Sequence, residues 1–292
     1  MRFLNVLTTL ALGAALAASA GASAAPVFSN NVAPGDAYTN ALGSNQGQAI
    51  AASGWYYNNV RAGGTVGIST ANARSGNGSA QFTSPNNGKA DIEYLQGGVN
   101  LGGNFYASAS MGSFSSLLGM SYEWFRDADS TATAHLHPSL RVILDADGNL
   151  ATAGDRGTLV FERVYNNIAA QSGVWNADSI GASTKLWNTG LGLGKEFDLN
   201  GNGYAFDSNL SDWQALLPNA AILGFSSGVG SGWNTFGGAV DNISWNIGGN
   251  VTLANFEVRA EDTAVPEPVT LALFGAGIVA VGLARRRRHP NA

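Results

Sequence analysis

Few residues in this 292-residue chain are equipped to do chemistry, and carboxylates lead them. Glu123 and Glu162 fall on two stretches that read as strands. Two carboxylates held about 5–10 Å apart can cleave a glycosidic bond; the structural alternative is a solvent-facing glutamate on each strand. His135 and His137 flank Leu136 just before Pro138. At i and i+2 of an extended segment they share one face, which could hold a metal or a catalytic imidazole; the ordinary reading is surface histidines of a loop. The third histidine, His289, belongs to the tail, so no third ligand is at hand. Asp145-Ala146-Asp147-Gly148-Asn149 is a hairpin-turn signal whose alternating oxygen side chains also suit calcium. Trp55, Tyr56 and Trp233, set among Gly and Asn, are candidates for stacking on the C–H faces of sugar rings, with core packing as the ordinary use of such aromatics. The chain has no cysteine, which removes thiolate nucleophiles and Cys-ligated zinc.

Short runs of β-branched and aromatic residues, punctuated by Gly, Asn and Pro, must position these groups. Strands are predicted over 50–60, 65–70, 79–83, 90–95, 117–126, 140–144, 157–165, 173–175, 221–226, 239–247 and 251–258. Period-two alternation puts Met120, Tyr122 and Trp124 on one face and Ser121, Glu123 and Phe125 on the other; Ile243, Trp245 and Ile247 likewise oppose Asn242, Ser244 and Asn246. One helix is predicted over 211–217, with Ser211 as N-cap and Pro218 as its stop. So many short strands predict a mainly β fold, an antiparallel, jelly-roll-like β-sandwich spanning 25–258 as one domain.

Composition agrees. Only 12% of residues are charged and 39 are glycine, the makeup of strands and turns. Residues 25–265 hold ten basic and nineteen acidic side chains, a net charge of −9 that excludes nucleic acid as a partner. At the start, Met1-Arg2, an apolar stretch over 4–20 and the small-x-small Ala22-Ser23-Ala24 spell a cleaved signal peptide over 1–24. A polar linker, 259–264, precedes Val265-Pro266-Glu267-Pro268 and the uncharged run 269–284. That run predicts a single hydrophobic helix of about 24 Å, short of a hydrocarbon core of about 30 Å. The cluster Arg285-Arg286-Arg287-Arg288 then holds its end cytoplasmic, so everything before Pro266 faces outward.

This order of parts resembles the PEP-CTERM sorting signal of Gram-negative bacteria, with Pro266, Glu267 and Pro268 matching its motif and 265–288 its extent. The resemblance implies an exosortase partner that recognises the tripeptide and removes the tail. It also implies passage from the inner membrane to the cell surface or the medium, and association with extracellular polysaccharide and biofilm matrix. The segments 122–127, 140–145, 159–166 and 239–244 look like those of exported PEP-CTERM proteins. The closing Val240-Asp241-Asn242 is similar to the last strand of jelly-roll carbohydrate-binding modules and legume-lectin-like domains. That likeness implies a structural calcium at Asp241, against a carboxylate that accepts backbone N–H bonds. Asp198-Leu199-Asn200-Gly201-Asn202-Gly203 resembles the start of an EF-hand or dockerin calcium loop, with Asp198, Asn200 and Asn202 at positions one, three and five. It departs from that pattern at position twelve, where Asn209 replaces the bidentate acid. The expectation is a non-enzymatic, structural or adhesive exported sandwich, with a carbohydrate-binding module or glycosidase as the alternative.

Overall fold

Alternating burial along the strands sorts the chain into two facing sheets. The computed structural model describes residues 25–40, 45–152 and 154–261; the expected signal peptide and sorting signal lie outside them. β1 (Ala25–Val32), β2 (Tyr38–Thr39), β3 (Gln46–Ala49), β4 (Trp55–Arg61), β5 (Thr65–Ser69) and β6 (Ser79–Ser84) come first. β7 (Lys89–Leu95), β8 (Val99–Leu101), β9 (Asn104–Tyr106), β10 (Gly112–Ser113), β11 (Leu117–Arg126) and β12 (Ser139–Asp145) follow. β13 (Arg156–Val160), β14 (Trp175–Ile180), β15 (Trp187–Gly190), α1 (Leu210–Leu216), β16 (Ala221–Val229), β17 (Phe236–Ile247) and β18 (Asn250–Arg259) complete it.

One eight-stranded sheet runs β1-β18-β17-β6-β5-β2, with β11 on the other edge of β17 and β14 beyond it. The second runs β15-β13-β12-β16-β7-β4-β3, with β10 on β16. Pairing is antiparallel apart from the parallel β1–β18 pair, and the chain crosses repeatedly between the sheets. The fold is therefore an antiparallel β-sandwich. The first part of the expected strand 50–60 is the turn between β3 and β4, so only β4, from Trp55, falls within it, and β18 runs one residue past the expected end of the sandwich. The helix begins at Leu210, not Ser211: Asn209 is its N-cap, accepting from the Asp212 N–H in a capping box.

Alternation predicts the core. Met120, Tyr122 and Trp124 are buried on one face of β11, while Ser121, Glu123 and Phe125 stay half-buried on the other. The rings of Phe225 and Trp245 stack 4.5 Å apart, and Trp55 meets Phe256 edge-on at 5.0 Å, joining both sheets through aromatic contact. β17 changes partner halfway: residues 236–240 pair with β6 and 243–247 with β18. Asp241 fills the gap at the branch. Its carboxylate accepts the backbone N–H groups of Asn242 (2.8 Å), Phe256 (2.9 Å) and Ser75 (3.1 Å), groups a continuous ladder would have paired.

Candidate functional site

The outward-facing residues of the second sheet divide it in two. On one half, Leu95, Ala107 and Leu223 form a small apolar cluster packed against Tyr56, Phe105 and Ile143, so the β8–β9 hairpin covers it. The other half is open, a groove of about 490 Å³. Its floor is polar because every second residue of each strand faces away from the core. Ala90 and Ile92 point inward from β7 while Lys89, Asp91 and Glu93 point into the groove, as Arg141 does from β12 and Thr158 from β13. Trp187, Tyr165 and Trp233 line it too, with Glu162, Lys195 and His135.

The floor is a fixed network. Arg141 donates from Nη1 to Asp91 Oδ1 (2.9 Å) and Ser226 Oγ (3.2 Å), and Lys89 Nζ lies 2.8 Å from Asp91 Oδ2. Glu93 accepts from Asn58 Nδ2 (2.6 Å), Asn59 Nδ2 (3.0 Å) and Ser226 Oγ (3.2 Å). Burial pushes Asp91 upward, but the charges of Lys89 and Arg141 outweigh it and hold the carboxyl below its ordinary range. Glu93 goes the other way, raised by burial and by Asp91 beside it. With these carboxylates committed, the floor presents a fixed array of donors and acceptors.

Glu162 differs. It stands after β13 as the cap residue of a 3-10 turn, Arg163–Asn166, and burial pushes its carboxyl up to about 7. The next residue anchors that turn. Arg163 Nε donates to both oxygens of Asp178 (2.9 and 2.8 Å), and its guanidinium lies 4.9 Å from the centre of the Trp124 ring. His137 stacks on the same indole at 4.4 Å, and its Nε2 accepts the Arg163 N–H at 3.1 Å. That bond leaves the ring proton on Nδ1, 3.0 Å from the Pro138 carbonyl. Burial lowers the His137 pKa to about 4, so the ring is neutral near pH 7. Tyr165, on the same turn, stacks on Phe206 at 4.2 Å, and Trp187 meets Phe206 edge-on at 6.0 Å. The groove's aromatic rim is thereby tied to a buried ion-pair network.

Several expected sites are placed differently. Trp55 is 3% exposed in the aromatic core and offers no face to a sugar. Tyr56 is stacked on Phe105 at 4.3 Å, holding the hairpin against the sheet. Trp233 lines the groove, packed edge-on against Phe236 at 5.2 Å. Glu123 and Glu162 do not converge: Glu123 lies on β11 of the first sheet, bound to Arg74 by two bonds of 2.9 Å, and Glu162 lies at the groove, off any strand. The histidines part as well, because His137 turns into the core and His135 lines the groove.

The expected calcium residues occupy three different parts of the fold. Asp241 is the backbone acceptor at the β17 branch. Asp198 accepts the N–H groups of Gly201 (2.9 Å) and Gly203 (2.6 Å), while the Asn200 and Asn202 amides donate to Asp207 at 3.0 and 2.7 Å. Asp145 and Asp147 sit in the β12–β13 hairpin beside Asp155. Sequence reasoning passed over Trp187, Tyr165, Arg141, Asp91 and Glu93. The alternation Lys89-Ala90-Asp91-Ile92-Glu93 was the available signal, a charged stripe on a strand whose other face is apolar.

Residues 264–288 match the PEP-CTERM protein-sorting motif. The chain carries a PEP-CTERM sorting signal. It is thus an exported protein sorted by an exosortase through a membrane-anchored precursor, and the match covers the expected Pro266-Glu267-Pro268 and the arginine cluster. No curated protein matches the chain. Solved structures similar to it include the family 11 carbohydrate-binding module from Clostridium thermocellum in complex with a β-1,3-1,4-mixed-linked tetrasaccharide. That pair is 10% identical over 75% of this chain and 100% of the module, with a TM-score of 0.35. The family 11 module of a cellulosomal cellulase of Clostridium thermocellum is 11% identical over 76% and 92%, with a TM-score of 0.32. An exo-β-agarase is 11% identical over 67% of this chain and 23% of its own, with a TM-score of 0.33. Scores at this level say nothing about what this chain binds.

Proposed function

We propose that this PEP-CTERM protein is a non-enzymatic, adhesive glycan-binding sandwich, and that the groove on the second sheet holds a segment of extracellular polysaccharide. The observation that carries this reading is the groove itself. Its aromatic side chains flank a polar floor whose hydrogen-bonding groups are held by one another. A sugar offers apolar C–H faces and a ring of hydroxyls, so it matches stacked rings and pre-set donors and acceptors together. A floor already ordered loses little entropy when it binds. Binding is favoured over hydrolysis because cleavage needs two available carboxylates. Asp91 is committed to Lys89 and Arg141, Glu93 accepts three donors and Glu196 is paired with Lys195 at 2.7 Å, so Glu162 has no free partner among them. After removal of its tail, such a protein would hold matrix polysaccharide at the cell surface or in the medium.

A glycan array probed with the full-length chain tests this. A retained saccharide that Trp233→Ala and Trp187→Ala each weaken at least tenfold, or about 1.4 kcal/mol, is the expected result. An array with no retained glycan, or binding indifferent to both substitutions, would sink the proposal. Release of shortened products by the wild type, lost in Glu162→Gln, would favour the glycosidase instead.

A further inference from the structure

The β12–β13 hairpin brings three carboxylates together at the end of the second sheet. Oxygen atoms of Asp145, Asp147 and Asp155 all lie within 4.8 Å of one another. The Asp145 side chain is 0% exposed, and neither of its oxygens has a hydrogen-bond partner. Asp155 Oδ1 is buried without a partner as well. Arg156 offers only a 3.4 Å contact from Nε to Asp145 Oδ2, while its Nη atoms are drawn to the carbonyls of Ala107 (3.2 Å) and Leu150 (3.0 Å). A buried carboxylate without hydrogen bonds is costly, and two like charges beside it add to the cost. Meanwhile the hairpin is built to hold these side chains in place. Asp147 Oδ1 accepts the Asn149 N–H at 2.8 Å, and the Ala146 N–H reaches the Asp155 carbonyl at 3.2 Å.

We infer that Asp145, Asp147 and Asp155 form a calcium site that locks the β12–β13 hairpin. The donor set is all oxygen, which a hard cation prefers, and it contains neither His nor Cys for a transition metal. Calcium–oxygen distances of about 2.4 Å let one ion bridge ligands up to about 4.8 Å apart. Waters and loop carbonyls complete the six to eight oxygens calcium takes, a flexible shell that a short hairpin tolerates better than the strict octahedron of magnesium. The sequence points only to Asp145 and Asp147. Asp155 joins them because the antiparallel register sets the start of β13 against the end of β12, pairing Asp145 with Arg156.

Calcium added to the EDTA-stripped, full-length chain in detergent should raise its melting midpoint by about 5–10 °C at roughly a hundredfold excess over Kd. Magnesium at equal concentration should do less. Titration calorimetry should find one calcium per hairpin in wild type and none in Asp147→Asn, whose side chain is exposed at the turn. Asp155→Asn should lose the calcium response while melting no lower than stripped wild type, since it relieves repulsion. Asp198→Asn should keep the response, separating this site from the Gly-Asn loop. A wild-type midpoint indifferent to calcium would overturn the assignment. So would a response that survives Asp147→Asn and Asp155→Asn, or one that Asp198→Asn alone abolishes.

Discussion

Glu123, on the first sheet, and Glu162, beside the second, are the same side chain, and the two regions treat them in opposite ways. On the first sheet, burial raises Glu123, but bonds from Arg74 and Asn242 prevail and hold it below the ordinary glutamate range. At the groove, burial alone dominates Glu162 and lifts it to about 7. The first region closes on itself: Arg74, Glu123, Asn242 and Ser75 share bonds directly above Asp241. The second leaves one ionisable group unmatched beside a wall of aromatics. Satisfied charges serve the fold and unmatched ones are left for a ligand, so partners separate the two regions where residue type does not.

Breaking the satisfied side should have the largest effect. Asp241→Ala strands three N–H donors, that of Phe256 buried and those of Asn242 and Ser75 partly so, at the point where β17 changes partner, and should lower stability by about 3 kcal/mol, read as a fall in the urea midpoint. A change below about 1 kcal/mol would show that the branch does not depend on this carboxylate.

The groove should respond less, and with a pH signature. The folded pKa of Glu162, about 7, lies above its reference value of 4.5. Its favourable contribution is therefore complete below about 4.5 and lost as pH rises through 7. Glu162→Gln has no such loss. It should be more stable than wild type by about 1–2 kcal/mol at pH 8, with the gap closing toward pH 5 in urea melts at several pH values. A gap that stays constant with pH would mean the carboxyl titrates as an ordinary one.

The smallest effect belongs to the Arg74–Glu123 pair, whose side chains are 42% and 22% exposed. Glu123→Gln should cost less than about 1 kcal/mol, and the difference should shrink further in 1 M salt. A larger, salt-independent loss would place this pair with Asp241 as part of the sheet's frame.

How far the sequence leads can be followed residue by residue. β11 was legible at both ends because burial alternates residue by residue from Met120 to Arg126, and only the irregularity between Leu117 and Gly119 breaks the pattern. β14 was legible only at its first residue, since Asn176, Asp178 and Ser179 resemble a loop. They form a strand because β11 pairs with them and because Asp178 has Arg163 and Trp124 as partners, both distant in sequence. Trp55 was misplaced for the converse reason. Neighbouring Gly and Asn suggest exposure, yet the ring is enclosed by Tyr94, Trp245 and Phe256 from other strands. Of the candidate site, Trp233, Glu162 and His135 could be named in advance, and the groove could not.

By itself the sequence determined the export address and the sandwich class, because a sorting signal is a linear order of parts and a strand is a local alternation. It also determined which faces would be polar. Tertiary structure alone decided which polar faces meet, which carboxylates find cations, and which ones the sheet register leaves uncompensated. Most of those outcomes depend on contacts between residues from ten to more than a hundred positions apart. Burial and pairing, which set every pKa here, arise only once such contacts exist.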